Sequence, residues 1–231
     1  MNYAIYAIST GKIESLQYED RRPMKSALNK KPIQEKMWLS RTGFLEDEQE
    51  YKDHGGPDKA VCLYSKSNYA MWQDVIQPLP DSALFGENIT VYAIDETELF
   101  FGDQYRLGEA IIEVSEIREP CWKLQSKYGY SQLVKDMSKS GKTGCYFRVI
   151  KEGFVSPNSN LSLVQHAPEP TRLSVQELND IYYNDRKNKE RIAYALNNPY
   201  LTEKRKSVLE KNARTSHNEI NERCMKKAGS Q

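Results

Sequence analysis

The chain is poor in the residues that build metal clusters. Its 231 residues include three histidines, at 54, 166 and 217, and four cysteines, at 62, 121, 145 and 224. The cysteines are widely spaced with no CxxC pair, which argues against zinc knuckles and thioredoxin-type sites and predicts reduced thiols. There is neither a cysteine cluster for an iron–sulfur centre nor a glycine-rich dinucleotide fingerprint. Any redox role would therefore need electrons from another protein.

Long apolar runs are also absent. No stretch approaches the ~20 apolar residues that a membrane helix needs. The first residues, MNYAIYAISTGKIES, show no basic leader, no long apolar stretch and no small-residue cleavage site. These absences predict a cytoplasmic protein with no membrane partner.

A strong excess of one charge is missing too. The formal net charge is +1, and residues 171–231 hold 13 Lys/Arg against 8 Asp/Glu. This modest excess is interspersed with acidic residues, which favours a solvated helical surface over a nucleic-acid patch. No nucleic-acid partner is expected.

Short strand-like segments make up the first two thirds of the chain. They are NYAIYAIS, KPIQEKMWL, AVCLYS, NITVYAI, AIIEVSEI, CYFRVI and NLSLV, and turn residues such as HGGPD, FGEN and SPNSN separate them. Seven or more short strands suggest a closed or nearly closed β-barrel. Helical insertions are predicted at SNYAMWQDVI and YSQLVKDMSK. The fold class is therefore mainly β.

The segment after HAPEPT has a different pattern, which predicts a small helical domain over 171–231 beside a barrel domain over 1–167. Ser174 with Glu177 fits a capping box, and flanking leucines fit a hydrophobic staple. Asn184 or Asp185 is a candidate cap for a second helix, which NNP ends, and Thr202 for a third. The prediction is three helices, as a bundle or a lid on the barrel.

HGGPDKA, at 54–60, gathers polar groups into one turn before a strand. Paired glycines let backbone amides face a concavity, where His54 and Lys59 would add donors suited to an anion. The alternative is a tight turn with an exposed lysine.

Three other loops carry polar candidates. KSALNK brings together Lys25, Ser26 and Lys30, which offer charge and hydroxyl donors for a phosphate or a pterin. FGENI offers Asn88 before a strand, and FGDQYRLGEA carries Arg106 between two glycines. The alternative interpretations of these three loops are, in the same order, a solvated basic loop, a simple turn and a hairpin with an exposed arginine.

Cys121 follows Pro120 at the end of the strand-like run AIIEVSEI, so its position is fixed from both sides. A lone cysteine is more often a buried, inert side chain than a ligand. Arg118, three residues earlier, favours the thiolate, the form that binds metals or attacks electrophiles. Cys62, Cys145 and Cys224 fit core positions.

The order of these motifs resembles a known family. KSALNK, HGGPDKAV, FGENIT, GDQYRLGEA, VSEIREPCWKL and GKTGCYFRVI resemble, in this order, the MOSC family, named for the C-terminal domain of molybdenum-cofactor sulfurases. The resemblance covers nearly all of residues 1–165. The helical tail resembles that of a bacterial branch whose members reduce N-hydroxylated bases. Cys145 departs from the pattern, since a bulky aromatic residue is expected there.

The resemblance implies a MOSC-type β-barrel that binds a molybdenum–pterin cofactor, whereas pyridoxal phosphate is not expected. The family's cysteine falls on Cys121, which would be the thiolate ligand of molybdenum and the catalytic residue; a soft thiolate suits this metal. The cofactor-binding candidates implied by motif position are Lys25, Ser26, Lys30, His54, Asp58, Lys59, Asn88, Arg106 and Arg118.

The activity implied is reduction of an N-hydroxylated compound, such as hydroxylaminopurine or a hydroxylamine, to the amine. Electrons would come from a separate reductase or carrier protein, and a homodimer is left open. Two alternatives stand beside this reading. One is a module that carries the cofactor or sulfur without turnover. The other is a metal-free thiol enzyme with Cys121 as nucleophile and His54 as base.

Overall fold

The computed structural model describes residues 1–18 and 23–214. Within these ranges the strands are β1 Asn2–Tyr3, β2 Ile5–Thr10, β3 Glu14–Leu16, β4 Met24–Ser26, β5 Lys31–Pro32, β6 Met37–Ser40, β7 Gly43–Phe44, β8 Val61–Ser65, β9 Ile89–Val91, β10 Gln104–Leu107, β11 Ala110–Ile117, β12 Cys145–Lys151, β13 Gly153–Val155 and β14 Leu161–Gln165. The α-helices are α1 Trp122–Tyr128, α2 Leu133–Ser140, α3 Val175–Asn179, α4 Lys189–Leu196 and α5 over 203–214.

Nine strands form one sheet in the order β1-β14-β10-β11-β12-β8-β9-β2-β5, and two small sheets flank it. Neighbours are antiparallel except β8 and β9, which run parallel. The predicted mainly β class is confirmed. The predicted closed barrel is not confirmed, because among the described residues the order of hydrogen-bonded strands has two ends, β1 and β5. Only Ala4 separates β1 from β2, so one short segment contacts both β14 and β9.

The predicted strands correspond to observed strands, but two of them are divided. NYAIYAIS is interrupted at Ala4 between β1 and β2. KPIQEKMWL is divided into β5 and β6. Proline lacks the amide donor that would continue a ladder, and β5 ends at Pro32. The predicted helix at SNYAMWQDVI is instead a 3₁₀ helix, Lys66–Trp72, whereas α2 confirms the helix predicted at YSQLVKDMSK.

The tail begins as predicted. Ser174 and Glu177 form a reciprocal capping box at the start of α3. The cap of the second helix was placed too early: a π-helical turn, Asp180–Asn184, continues α3, and Asn188 caps α4 by accepting from the Arg191 amide at 3.1 Å. Thr202 caps α5, since its hydroxyl accepts from the Arg205 amide at 3.1 Å. The predicted tail beyond residue 214 lies outside the described residues.

One apolar core joins the sheet to the tail helices. It includes Leu63, Ile112 and Phe147 from the sheet together with Leu178 and Leu209 from the helices. Burial of a leucine or isoleucine side chain stabilises the fold by about 1.5–3 kcal/mol, so the two regions support each other. The boundary predicted between 167 and 171 stays a prediction.

A second, aromatic cluster supports α1 and α2. Tyr64, Trp72 and Phe85 pack there with Leu124 of α1 and Leu133 of α2. This cluster holds α1 in position, and with it Cys121, the residue that precedes the helix. Within the described ranges, no helix combines the length and apolarity required to cross a membrane.

Candidate functional site

Cys121 lies at the junction of a strand and a helix. β11 ends at Ile117, and Cys121 is the N-cap residue of α1, with its carbonyl accepting from the Leu124 amide at 3.1 Å. Its thiol makes no capping bond and is half-buried. The helix was not predicted from the sequence. Pro120 lies between the strand and the helix, where its missing amide donor interrupts no strand ladder. The thiol is therefore held at one place and directed into a cleft.

The HGGPDKA motif forms the facing wall. Two 3₁₀ turns, Lys52–His54 and Pro57–Lys59, flank Gly55 and Gly56. Gly56 has a φ of 100°, a conformation that side-chain-bearing residues rarely adopt. The Lys59 ammonium donates to the Asp53 carbonyl at 2.9 Å and lies 5.5 Å from the centre of the Tyr146 ring. The turn thus folds back on itself and presents both His54 and Lys59 to the cleft.

Seven of the ten predicted site residues line this one cleft. They are Ser26, Lys30, His54, Lys59, Asn88, Arg118 and Cys121. These residues come from four separate segments of the chain, so the sheet and the loops at its edge assemble what the sequence spreads over about a hundred positions.

The structure places the other three elsewhere. Lys25 is exposed on β4, and only its carbonyl turns toward the site, where it accepts from Lys123 at 2.8 Å. Asp58 forms an ion pair with Arg148 at 2.8 Å. Arg106 is exposed on β10, in the hairpin with β11. The position of Arg106 matches the alternative given for its loop, a hairpin with an exposed arginine. The side chains of these three residues do not line the cleft, which therefore gives no support to a cofactor role for them.

Two of the cleft's lysines are already neutralised. Lys30 is ion-paired with Asp47, both side chains being almost fully buried, and Lys123 is ion-paired with Glu50. Asn88 donates to Asp47 at 2.8 Å and to the Ser9 carbonyl at 3.2 Å, and accepts from the Cys62 amide at 3.1 Å. Because these bonds use both of its amide hydrogens, Asn88 joins the walls of the cleft rather than offering free donors.

Arg118 and Lys59 carry the cleft's uncompensated positive charge. Within residues 1–18 and 23–214 neither forms an ion pair with an acidic side chain. Arg118 is 5% exposed, donates from Nη2 to the Phe85 carbonyl, and has no hydrogen-bond partner at Nη1. A buried guanidinium with a free donor is costly unless a ligand satisfies it. Together the two side chains favour an anion in this cleft.

The electrostatic environment keeps His54 neutral. Burial, followed by the nearby charges of Arg118, Lys59 and Lys123, lowers the pKa of the His54 imidazole to about 4. Burial also lowers the pKa of the Lys59 ammonium. At physiological pH His54 therefore offers one donor and one acceptor nitrogen.

Several cleft residues were missed in the sequence. Asp47, Glu50, Lys123 and Tyr146 line it, and Cys62, predicted as core, is buried on β8 and also faces it. Burial raises the pKa of the Cys62 thiol. Asp47 lies in the acidic stretch LEDEQE, which has no spacing that distinguishes a buried carboxylate from solvated ones. Only the fold reveals its role as the partner of Lys30 and Asn88.

The fold and the cleft define the class of site: a mostly antiparallel sheet holds one half-buried thiol, Cys121, in a cleft with two basic side chains, Arg118 and Lys59, that form no ion pair among the described residues. The model of the MOSC domain matches residues 50–162, which contain the HGGPDKA turn, Arg118 and Cys121. The chain belongs to the MOSC domain family. MOSC domains are associated in general with binding of the molybdenum cofactor.

The chain is 38% identical over 202 residues to the uncharacterized protein YflK of Bacillus subtilis (strain 168), covering 87% of this chain and 90% of that one. It is 32% identical over 158 residues to a protein of Gibberella moniliformis named Reductase; the match covers 66% of this chain and 28% of that protein. The crystal structure of YiiM from Geobacillus stearothermophilus has a TM-score of 0.75 at 28% identity, over 90% of this chain and 98% of that one.

Proposed function

We propose that this protein is a molybdenum-cofactor-dependent reductase that converts N-hydroxylated compounds, such as hydroxylaminopurine-type bases and hydroxylamines, to amines. The observation that carries the proposal is the shared cleft: the half-buried Cys121 thiol lines it together with the buried Arg118 guanidinium, whose Nη1 has no hydrogen-bond partner. Membership of the MOSC family and the relative named Reductase support the same class of activity.

The residues present fit such a cofactor. Its pterin carries a phosphate, and Arg118 and Lys59, which form no ion pair with an acidic side chain of the described residues, supply charge and hydrogen-bond donors. Ser26 adds a hydroxyl to the same cleft. Cys121 supplies a soft sulfur ligand suited to a metal that already has dithiolene sulfurs. Lys25, Asp58 and Arg106 have no part in this proposal.

The bound cofactor would supply the two-electron chemistry that breaks an N–O bond. The protein's own contribution is binding and proton handling. Neutral His54 can either accept a hydrogen bond from a substrate hydroxyl or donate one to a substrate oxygen. Lys59, whose pKa burial lowers, releases a proton more readily than an exposed lysine. Both side chains lie in the cleft with Cys121, where the oxygen of the substrate would leave as water.

The electrons would come from a separate reductase or carrier protein. Among the described residues no cluster of three or more His, Cys, Asp or Glu is arranged to hold a metal ion, so a built-in relay of that type is not part of the proposal. We place the protein in the cytoplasm, where thiols such as that of Cys121 stay reduced.

The experiment compares the wild type with Cys121→Ala and Cys145→Ala, all made in a cofactor-competent host. Molybdenum content, released pterin and hydroxylamine reduction with a chemical electron donor are measured on each. We expect near-stoichiometric metal and turnover in the wild type and in Cys145→Ala, whose thiol is buried outside the cleft. Cys121→Ala should lose at least about a hundredfold in activity, since loss of even supporting contacts to a metal costs 10–100-fold.

Full activity in a folded Cys121→Ala variant would contradict the ligand role. Protein that binds metal and pterin but reduces no N-hydroxylated substrate would be a carrier module instead. Activity without molybdenum would favour the thiol enzyme with His54 as base, although Cys121 and His54 are not hydrogen-bonded to each other in this structure. A parallel Arg118→Met variant should retain less pterin than Arg106→Ala.

A further inference from the structure

A buried charge cluster joins the tail helices to the segment that carries Cys121. Arg205 of α5 contacts Glu116 of β11 at 2.8 Å and Glu119 at 2.6 Å. The Arg205 and Glu116 side chains are 3% and 4% exposed, and Glu119, two residues before Cys121, lines the cleft. The cluster therefore clamps the chain on the N-terminal side of Cys121.

An aromatic side chain completes the cluster. Tyr182, in the π-helical turn after α3, donates to the second Glu119 oxygen at 2.9 Å. The Arg205 guanidinium lies 4.2 Å from the centre of the Tyr182 ring. Glu119 is thus held through both carboxylate oxygens by two separate parts of the tail. Its side chain is still 41% exposed, on the rim of the cleft.

The tail also contacts the facing wall of the cleft. Lys204, next to Arg205, is 3.4 Å from the carboxylate of Asp53, which adjoins His54. Arg148 of β12 donates to the Tyr200 carbonyl at 3.2 Å and pairs with Asp58 of the HGGPDKA turn. Both walls of the cleft are therefore in contact with, or bridged to, the residues around α5.

We propose that the C-terminal helices are a structural part of the cofactor site, with Arg205 as a positioning residue that fixes the Glu119–Cys121 segment and so the direction of the Cys121 thiol. This inference rests on the proposed function, in which that thiol is the metal ligand. A tail that only covered the sheet would need apolar contacts alone. Instead, Arg205, Tyr182 and the Thr202 hydroxyl, which donates to Glu116 at 3.0 Å, tie the position of the tail to the rim of the cleft.

The test measures the thiol itself, in cofactor-free protein. Native protein is alkylated with iodoacetamide for increasing times and digested with trypsin. Cys121 is then read in the peptide EPCWK, Cys62 in AVCLYSK and Cys145 in TGCYFR. Since Cys145 is buried outside the cleft, its rate reports general opening of the fold, whereas Cys62 reports the wall of the cleft and Cys121 its own segment.

The variants are Arg205→Met, Tyr182→Phe and, as a matched control, Arg172→Met. Arg172 also joins the tail to a buried carboxylate, being 3.8 Å from Asp103, and lies 3.7 Å from the centre of the Phe100 ring. It does not line the cleft. The control thus removes the same kind of contact at a distance from Cys121. Tyr182→Phe keeps the ring and removes only one hydroxyl. It is therefore the milder variant, and it tests the same cluster even if Arg205→Met fails to fold.

We expect the Cys121 alkylation rate to rise about threefold or more in Arg205→Met, and by a smaller factor in Tyr182→Phe, because the segment opens locally. The Cys145 rate should stay at the wild-type value in both, and Arg172→Met should leave the Cys121 rate unchanged. An unchanged or slower Cys121 rate, or a rise matched by Cys145 or by the control, would overturn the inference. Since no cofactor or turnover is involved, this outcome is separate from failure of the proposed function.

Discussion

At the scale of single residues, the basic side chains of the cleft are of two kinds. Some form ion pairs within the protein, and others are available to a ligand. Lys30 and Lys123 are paired with acidic side chains, whereas Arg118 and Lys59 are not. Residue type does not distinguish the two pairs, because all four are basic residues in or beside conspicuous motifs. The distinction comes from Asp47 and Glu50, which lie in an acidic loop that carries no motif of its own.

His54 gives a pH dependence with a definite sign. Its pKa falls from the ordinary value of 6.5 to about 4 in the fold, chiefly through burial. Between these values the unfolded chain binds a proton that the folded protein does not, so stability falls as the pH is lowered from about 6.5 toward 4. Above this window His54 contributes no pH dependence.

Thermal unfolding of the cofactor-free wild type and of His54→Gln at pH 7 and pH 5 tests this. We expect the wild type to lose more stability than the variant between the two values, since glutamine does not titrate. An equal loss in both proteins would show that other groups cause the pH dependence.

At the scale of secondary-structure elements, sequence motifs predicted helix starts correctly where the capping hydrogen bond joins residues close together in the chain. The capping box at Ser174 and the cap at Thr202 were found because a side chain bonds a backbone amide three residues away. α1 was missed, because its seven residues carry no capping side chain and depend on Leu124 packing into the aromatic cluster. The second tail helix was placed early because a π-helical turn continues α3 past its expected end.

Thr202 is expected to contribute more than an ordinary cap. Besides capping α5, its hydroxyl donates to buried Glu116 at 3.0 Å. Thr202→Ala should therefore reduce the free energy of unfolding by about 2 kcal/mol, since a lost cap costs about 1 kcal/mol and a lost bond to a charged group adds to it. Thr202→Ser keeps the hydroxyl and is the control.

Urea unfolding of the two variants and the wild type gives these energies. A loss in Thr202→Ala no larger than that in Thr202→Ser would mean that the hydroxyl is not the stabilising group.

At the scale of the whole molecule, the sheet and the helices are joined by a shared apolar core and by the Arg205 cluster. Leu178, Ile192 and Leu209 bury their side chains in the same cluster as the sheet residues Leu63 and Ile112. Most of the stability of such short helices comes from packing of this kind rather than from intrinsic propensity. The tail is therefore expected to unfold together with the sheet.

Two optical probes report on the two regions. All three tryptophans, at 38, 72 and 122, precede the tail, so their fluorescence follows the sheet region, whereas far-ultraviolet circular dichroism also detects the tail helices. We expect coincident urea transitions by both signals, as for a single cooperative unit. A separate dichroism transition would show that the tail is an independent domain.

The sequence by itself determined the mainly β class, the helical character of the tail and, through motif order, several residues that line the cleft, among them Cys121, Arg118 and His54. Strand alternation, capping and motif order are properties of neighbouring residues, so they can be recognised along the chain. The tertiary structure alone decided which charges are paired, that Arg106 and Asp58 lie outside the cleft, and that Arg205 holds the segment before Cys121. Those facts depend on contacts between residues far apart in sequence, which no local pattern encodes.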